Sequence, residues 1–150
     1  MFPDSMLLAW TGMDHDWSQM KTRIFDHIDL RVGEMAAAQK FYDRLLPALG
    51  FSVKAGDDQC PTYQSPGEGP EVFFCFTEDA NHRPNETRIA FWAESRGELD
   101  RLAGIVTQAG AQNVEGPELV PEYSPGYYAI FFEDPCGNKL EICFRQTRPS

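Results

Sequence analysis

No C-x-x-C pair occurs among the four cysteines, Cys60, Cys75, Cys136 and Cys143, of this 150-residue chain. A zinc ribbon or a paired-thiol redox motif is therefore not indicated, and the scattered thiols read as the reduced cysteines of a cytoplasmic protein. Basic residues are also scarce: 13 Lys and Arg face 23 Asp and Glu, for a formal net charge of -10. A nucleic-acid surface needs a basic stripe, so that class of partner is excluded, and an anionic membrane surface is disfavoured. The acidic balance permits cationic ligands but says little about fold. No apolar run approaches the roughly 20 residues of a membrane span. The apolar patch Met6 to Trp10 lacks a basic segment before it and a small-residue cleavage site after it, so it does not read as a signal peptide.

What the chain does contain is ordinary for a globular protein: 42% hydrophobic and 13% aromatic residues. Its length suits one domain, or two small repeats sharing a core, with enough buried surface to need no staples. Residues 1–21 have no clear period and are read as an N-terminal extension, within which Met20 offers an alternative start just before the patterned domain. Asp14-His15-Asp16 has ligand chemistry, but three consecutive residues do not converge easily on one ion. The patterned domain spans residues 22–150.

The most informative stretch runs from Gly126 to Arg145. Tyr127 to Phe132 is rich in aromatic and β-branched residues and predicts a strand. Asp134-Pro135-Cys136-Gly137-Asn138 is turn chemistry. Lys139 to Arg145 then alternates, with Leu140, Ile142 and Phe144 on one face and Lys139, Glu141, Cys143 and Arg145 on the other. Glu141 is thus a mid-strand carboxylate facing away from the apolar row: a solvated residue or the wall of a site.

Earlier, Arg23 to Val32 alternates as a strand. His27 lies on its polar face and Ile28, Leu30 and Val32 on its apolar face. A helix is predicted from Gly33 to Leu49 by the stripe Ala38, Phe41, Tyr42, Leu45, Leu46 and Leu49, with Pro47 disturbing its last turn and Gly50 at its C-cap. Short strands follow at 51–54, 61–64 and 72–76. Arg88 to Ala93 is again a strand, with Arg88, Ala90 and Trp92 on one face. Ser95 and Glu98 form a capping box for a second helix with Leu99, Leu102, Val106 and Ala109 buried, ended by Gly110. Residues 112–124 give a loop-rich strand region.

The order strand, helix, three strands occurs twice, which predicts two βαβββ modules, about 22–80 and 86–146. The fold class is α+β, with a curved mixed sheet covered by helices on one face and enclosing a cleft on the other.

With Asp26-His27-Ile28-Asp29-Leu30, Phe41-Tyr42 before Leu49-Gly50-Phe51, Ile89-Ala90-Phe91, and above all Asp134-Pro135-Cys136-Gly137-Asn138-Lys139-Leu140-Glu141, the chain resembles the vicinal oxygen chelate superfamily of glyoxalases, bleomycin-resistance proteins and extradiol dioxygenases. The resemblance covers about residues 23–145. It implies a divalent metal (Zn, Fe, Mn or Ni) held by a first-strand His and a last-strand Glu, which map onto His27 and Glu141. The third ligand, usually His, falls at Arg88, and a fourth, where present, at Phe73 or Cys75. Arginine is permanently cationic and no ligand, so two readings stand. One is a metal-dependent lyase or dioxygenase with an atypical third ligand, in which Glu141 is catalytic and Tyr127 or Tyr128 assists proton movement. The other is a metal-free module in which Arg88 pairs with Glu141, His27 is a wall residue, and Phe73, Trp92 and the tyrosines clasp a drug or aromatic ligand. Either way the resemblance implies a homodimer and a small-molecule partner.

Overall fold

The structure is a computed structural model that describes residues 24–146. The expected N-terminal extension lies outside the described residues, as does the Asp14-His15-Asp16 group. The element order is β1 (His27–Val32), α1 (Met35–Ala48), β2 (Val53–Gly56), β3 (Pro61–Gln64), β4 (Phe73–Glu78), β5 (Arg88–Trp92), α2 (Arg96–Ala109), β6 (Gln112–Leu119), β7 (Tyr128–Glu133) and β8 (Lys139–Phe144). This is βαβββ twice, as the repeat predicts. The strands form two four-stranded sheets, β1-β4-β3-β2 and β5-β8-β7-β6, each with one parallel pair and two antiparallel pairs. The two sheets are not hydrogen-bonded to each other, and neither is closed.

Period-2 alternation assigns the faces. Ile28, Leu30 and Val32 of β1, Phe74 and Phe76 of β4, Ile89 and Phe91 of β5, Ile130 and Phe132 of β7, and Leu140 and Ile142 of β8 all join one apolar cluster with both helices. The helices supply Phe41, Tyr42, Leu45 and Leu46 from α1 and Leu99, Leu102 and Val106 from α2. One core therefore serves both modules, and ring contacts cross between them: Phe41 with Phe132 at 6.4 Å and Phe74 with Phe91 at 6.0 Å. The opposite faces of the sheets carry His27, Asp29, Arg31, Phe73, Cys75, Arg88, Ala90, Trp92, Glu141 and Cys143.

Helix ends follow the sequence. Glu98 N–H donates to Ser95 Oγ (3.0 Å) and the Glu98 carboxylate takes the Glu94 N–H (2.6 Å), so the box closes one residue earlier than its usual form. Gly110 ends α2 in the left-handed region. The first helix is capped by Glu34, whose carboxylate accepts from the Ala36 and Ala37 N–H groups. It runs through Pro47 to Ala48 because the ring falls in the last turn. The first strand begins at His27 rather than Arg23, since its partner β4 begins at Phe73 and the ladder cannot extend beyond it.

The two modules are clipped together by the β7–β8 turn. Asp134 is fully buried. Its Oδ1 accepts from the Cys136 N–H (2.8 Å) and the Asn138 N–H (3.0 Å) within the turn. Its Oδ2 accepts from Asn138 Nδ2 (2.9 Å) and from the Tyr42 hydroxyl of α1 (2.6 Å). Asn138 Nδ2 also donates to the Arg31 carbonyl at the edge of β1 (3.0 Å), and Asn138 Oδ1 accepts from His82 Nε2 (2.8 Å). Gly137 completes the turn with φ +86°, and a Cβ there would stand 3.0 Å from Pro84 Cγ. The turn needs glycine for both reasons.

Burial, then Asp134, raises the pKa of Tyr42 well above its usual value. A pKa raised in the folded state gives stability that is whole below the unfolded tyrosine pKa of about 10 and is lost as pH rises above it. Unfolding free energy should therefore hold steady to about pH 9 and fall beyond pH 10, by about 1.4 kcal/mol per pH unit for this residue. Tyr42→Phe should remove that part of the alkaline slope and cost about 1–3 kcal/mol at neutral pH in urea titrations, because it strips a donor from a buried carboxylate. A variant as stable as the parent would show that the clip contributes nothing.

Candidate functional site

The outer face of the second sheet is built around Glu141. Its neighbours across the ladder are Ala90 on β5 and Phe131 on β7. With a small residue on one side and a ring on the other, Glu141 is only 5% exposed. The hydroxyl of Tyr127, just before β7, donates to Glu141 Oε1 in a short hydrogen bond. Burial raises the Tyr127 pKa, as do hydrogen bonds to Cys143 and Glu141. Tyr127 is therefore fixed as a proton donor and does not act as a base near neutral pH.

Aromatic and cationic groups surround this pair. The guanidinium of Arg88 lies 5.0 Å from the centre of the Phe131 ring. Tyr123 stands edge-on to Tyr127 (5.2 Å) and to Phe131 (6.3 Å). Trp92 is exposed on the same face, with Arg145 over its ring at 5.9 Å. No ion pair within 4.0 Å joins Arg88 to Glu141 among the described residues. The expected Arg88–Glu141 pair is replaced by Tyr127–Glu141 and Arg88–Phe131.

On the first sheet, His27 stacks flat on Phe73, with ring centres 4.4 Å apart and planes 3° from parallel. Its Nδ1 lies 2.6 Å from Asp26 Oδ1. Ladder register identifies which residues correspond between modules. His27 pairs with Phe73 on the first rung of one sheet, and Arg88 with Lys139 on the first rung of the other. Two rungs on stand Cys75 and Glu141. The counterpart of Glu141 is thus Cys75, which decides between Phe73 and Cys75. Cys75 is buried, and burial, together with its neighbours Cys60 and Asp29, pushes its thiol up to about 12. It stands there as a neutral thiol.

Tyr128 lies elsewhere. It follows Tyr127 by one residue and so points to the helix side, where its hydroxyl donates to Asp100 Oδ1 (2.5 Å) and Arg96 sits over its ring. It is not brought to Glu141. Sequence reasoning passed over Tyr123 and Phe131. Phe131 carried a signal, being four residues from Tyr127 and hence on the same face of the strand.

The donor set can be tested against a divalent ion. A catalytic zinc-type site takes three protein ligands and keeps a position open. Among the described residues of one chain, no three His, Cys, Asp or Glu side chains converge on a point that could hold an ion. At the four corresponding positions stand an imidazole stacked on a ring, a protonated thiol, a guanidinium and a carboxylate bonded to Tyr127. The described residues of one chain do not make a three-ligand metal site.

A direct check is available for Cys75. In native protein at pH 7.5 it should resist iodoacetamide for hours and label fully in urea, read by peptide mass spectrometry. Fast native labelling would mean that the thiol is neither buried nor protonated.

Residues 24–142 match the family described as the Glyoxalase/Bleomycin resistance protein/Dioxygenase superfamily. No curated protein sequence is significantly similar to the chain. Solved structures are similar. A glyoxalase/bleomycin resistance protein from Albidiferax ferrireducens T118 is 25% identical with a TM-score of 0.66, over 82% of this chain and 100% of that one. A putative glyoxalase from Bacillus halodurans is 24% identical with a TM-score of 0.64, over 83% of this chain and 97% of that one. The fosfomycin resistance protein FosX from Mesorhizobium loti is 14% identical with a TM-score of 0.59, over 85% and 95%. The last two likenesses bear on the fold alone.

Proposed function

The chain belongs to the glyoxalase/bleomycin resistance protein/dioxygenase superfamily, and on that premise we propose that it binds a small, flat, oxygen-bearing organic molecule on the outer faces of its sheets without a catalytic metal. The observation that carries this reading is Arg88, at the place corresponding to His27 and 5.0 Å from the Phe131 ring beside the buried Glu141. A guanidinium offers several donors in one plane and suits a ligand oxyanion or carbonyl pair. Glu141 accepts a ligand hydroxyl, and Tyr127 holds its other lone pairs in place. Trp92, Phe131, Tyr123 and the His27–Phe73 stack supply flat surfaces for a ring. Among the described residues no helix is long and apolar enough to cross a membrane.

A homodimer is part of the proposal. The outer faces leave Trp92, Tyr123 and Val53 exposed. A second copy laid against them would cover these groups and enclose the ligand between facing sheets. The alternative, a metal enzyme held by His27 and Glu141, would require a further donor from outside the described residues of one chain, such as that second copy, since the described residues do not gather three.

Calorimetric titration with benzoate and with catechol tests the reading. The parent protein should bind at least one of them saturably, and Arg88→Ala should weaken binding roughly tenfold, the scale of one charge-assisted contact. Metal content after incubation with Zn, Fe, Mn and Ni salts decides the alternative. About one ion per chain, lost in both His27→Ala and Glu141→Ala, would replace the metal-free reading with the enzyme one.

A further inference from the structure

A cavity of about 270 Å³ opens where the two modules meet, and Glu141 does not line it. Its walls come from the end of β1, from the segment joining the modules, and from the starts of β5 and β8. Arg31, Arg83 and Lys139 line it. In a chain of net charge -10, three cations around one small cavity are unexpected from composition. We propose that it is a binding site for a small oxyanion: a phosphate or carboxylate group on a molecule of few heavy atoms.

Charge is the first argument. Of the described residues lining the cavity, Asp29 is the one carboxylate, and it is already engaged by Arg31 Nη1 at 2.6 Å. Lys139 is paired with Glu86 at 2.8 Å, but the Glu86 side chain is 93% exposed and outside the lining. Such a solvent-exposed pair is weak and its lysine can exchange partners. The Arg83 guanidinium contacts the carbonyl of its own neighbour, His82, through Nη1 at 3.0 Å. The rest of its planar donor set suits an oxyanion bound by two parallel hydrogen bonds.

The second argument is rigidity. Asn138 forms part of the wall, and its amide is held at both ends: Nδ2 on the Arg31 carbonyl and Asp134, Oδ1 on His82. His82 is fixed by the same bond. The wall is therefore the buried clip itself, which limits the ordering cost of binding. Asn85 and Thr87 add neutral polar groups on the module-joining side. The third argument is location. Arg31 lies four residues along β1 from His27, about 13 Å on a strand, so the cavity is separate from the His27–Phe73 stack. Arg88 is the neighbour of Thr87 and Ile89 but turns to Phe131 and does not line the cavity.

Calorimetric titration of the full chain with inorganic phosphate, and separately with malonate, at ionic strength held constant with sodium chloride, tests the proposal. The parent should bind one or both saturably. Phosphate alone would assign a phosphoryl ligand, malonate alone a carboxylate. Arg83→Ala and Lys139→Ala should each weaken binding roughly tenfold, and Arg88→Ala should leave it unchanged. Arg83 is exposed and makes no cross-element bond among the described residues, so its variant should fold as the parent does, checked by circular dichroism. Because the site exists only in the folded chain, the anion should also raise the thermal midpoint of the parent, and raise that of Arg83→Ala less at the same concentration. No saturable binding, parental affinity in both Arg83→Ala and Lys139→Ala, or a loss confined to Arg88→Ala would overturn it. The last result would place the anion on the sheet face, leaving the ligand proposed there intact.

Discussion

A single buried carboxylate holds the architecture together. Burying a charged group is costly unless its hydrogen bonds are complete. Asp134 completes them with two backbone N–H groups, an asparagine amide and the Tyr42 hydroxyl. The first three are local and shape the turn. The fourth comes from the other module and ties the turn to α1. The apolar core alone is non-directional and would tolerate some sliding of one sheet over the other. The Asp134–Tyr42 and Asn138–Arg31 bonds set the register between modules, much as a buried polar residue sets register elsewhere. The placement of the linker, of the anion cavity and of Lys139 depends on that register.

Alternation then divides the labour of each strand. Every core residue of β8 has a site-facing neighbour, so Leu140 and Ile142 fasten the strand while Glu141 and Cys143 face the other way. Glu141 is a carboxylate buried on that outward face, because Ala90, Phe131 and Tyr127 surround it. A polar group so held is preorganised, and the exposed Arg88 and Trp92 beside it remain available to a ligand.

Much of this was legible in the sequence, for physical reasons. The helix stripes, the Ser95–Glu98 box, the Gly110 stop and the outward placement of His27, Arg88 and Glu141 follow from local periodicity and capping. So does the repeat. Three things did not. Tyr127 and Tyr128 are adjacent, and choosing between them requires knowing where the strand's pleat begins, since a slip of one residue reverses every side chain. The choice between Phe73 and Cys75 required the ladder register, which is a pairing of distant segments. The Asp134-Pro135-Cys136-Gly137-Asn138 motif was plain as a turn and as a family signature, but its work as an inter-module clip depends on Tyr42, 92 residues away.

The clip runs in one direction only. The corresponding connection in the first module, between β3 and β4, closes on itself through Ser65 and Val72 and sends no buried carboxylate to α2. At the place on α2 that matches Tyr42, eighth in each helix, stands Ala103, which has no hydroxyl to give. The two halves have thus become key and lock. A chain made of two first modules would have two locks and nothing to turn in them, and one made of two second modules would have two keys. The repeat that is so plain in the order of strands and helices is no longer a symmetry of the molecule, and neither half can stand in for the other.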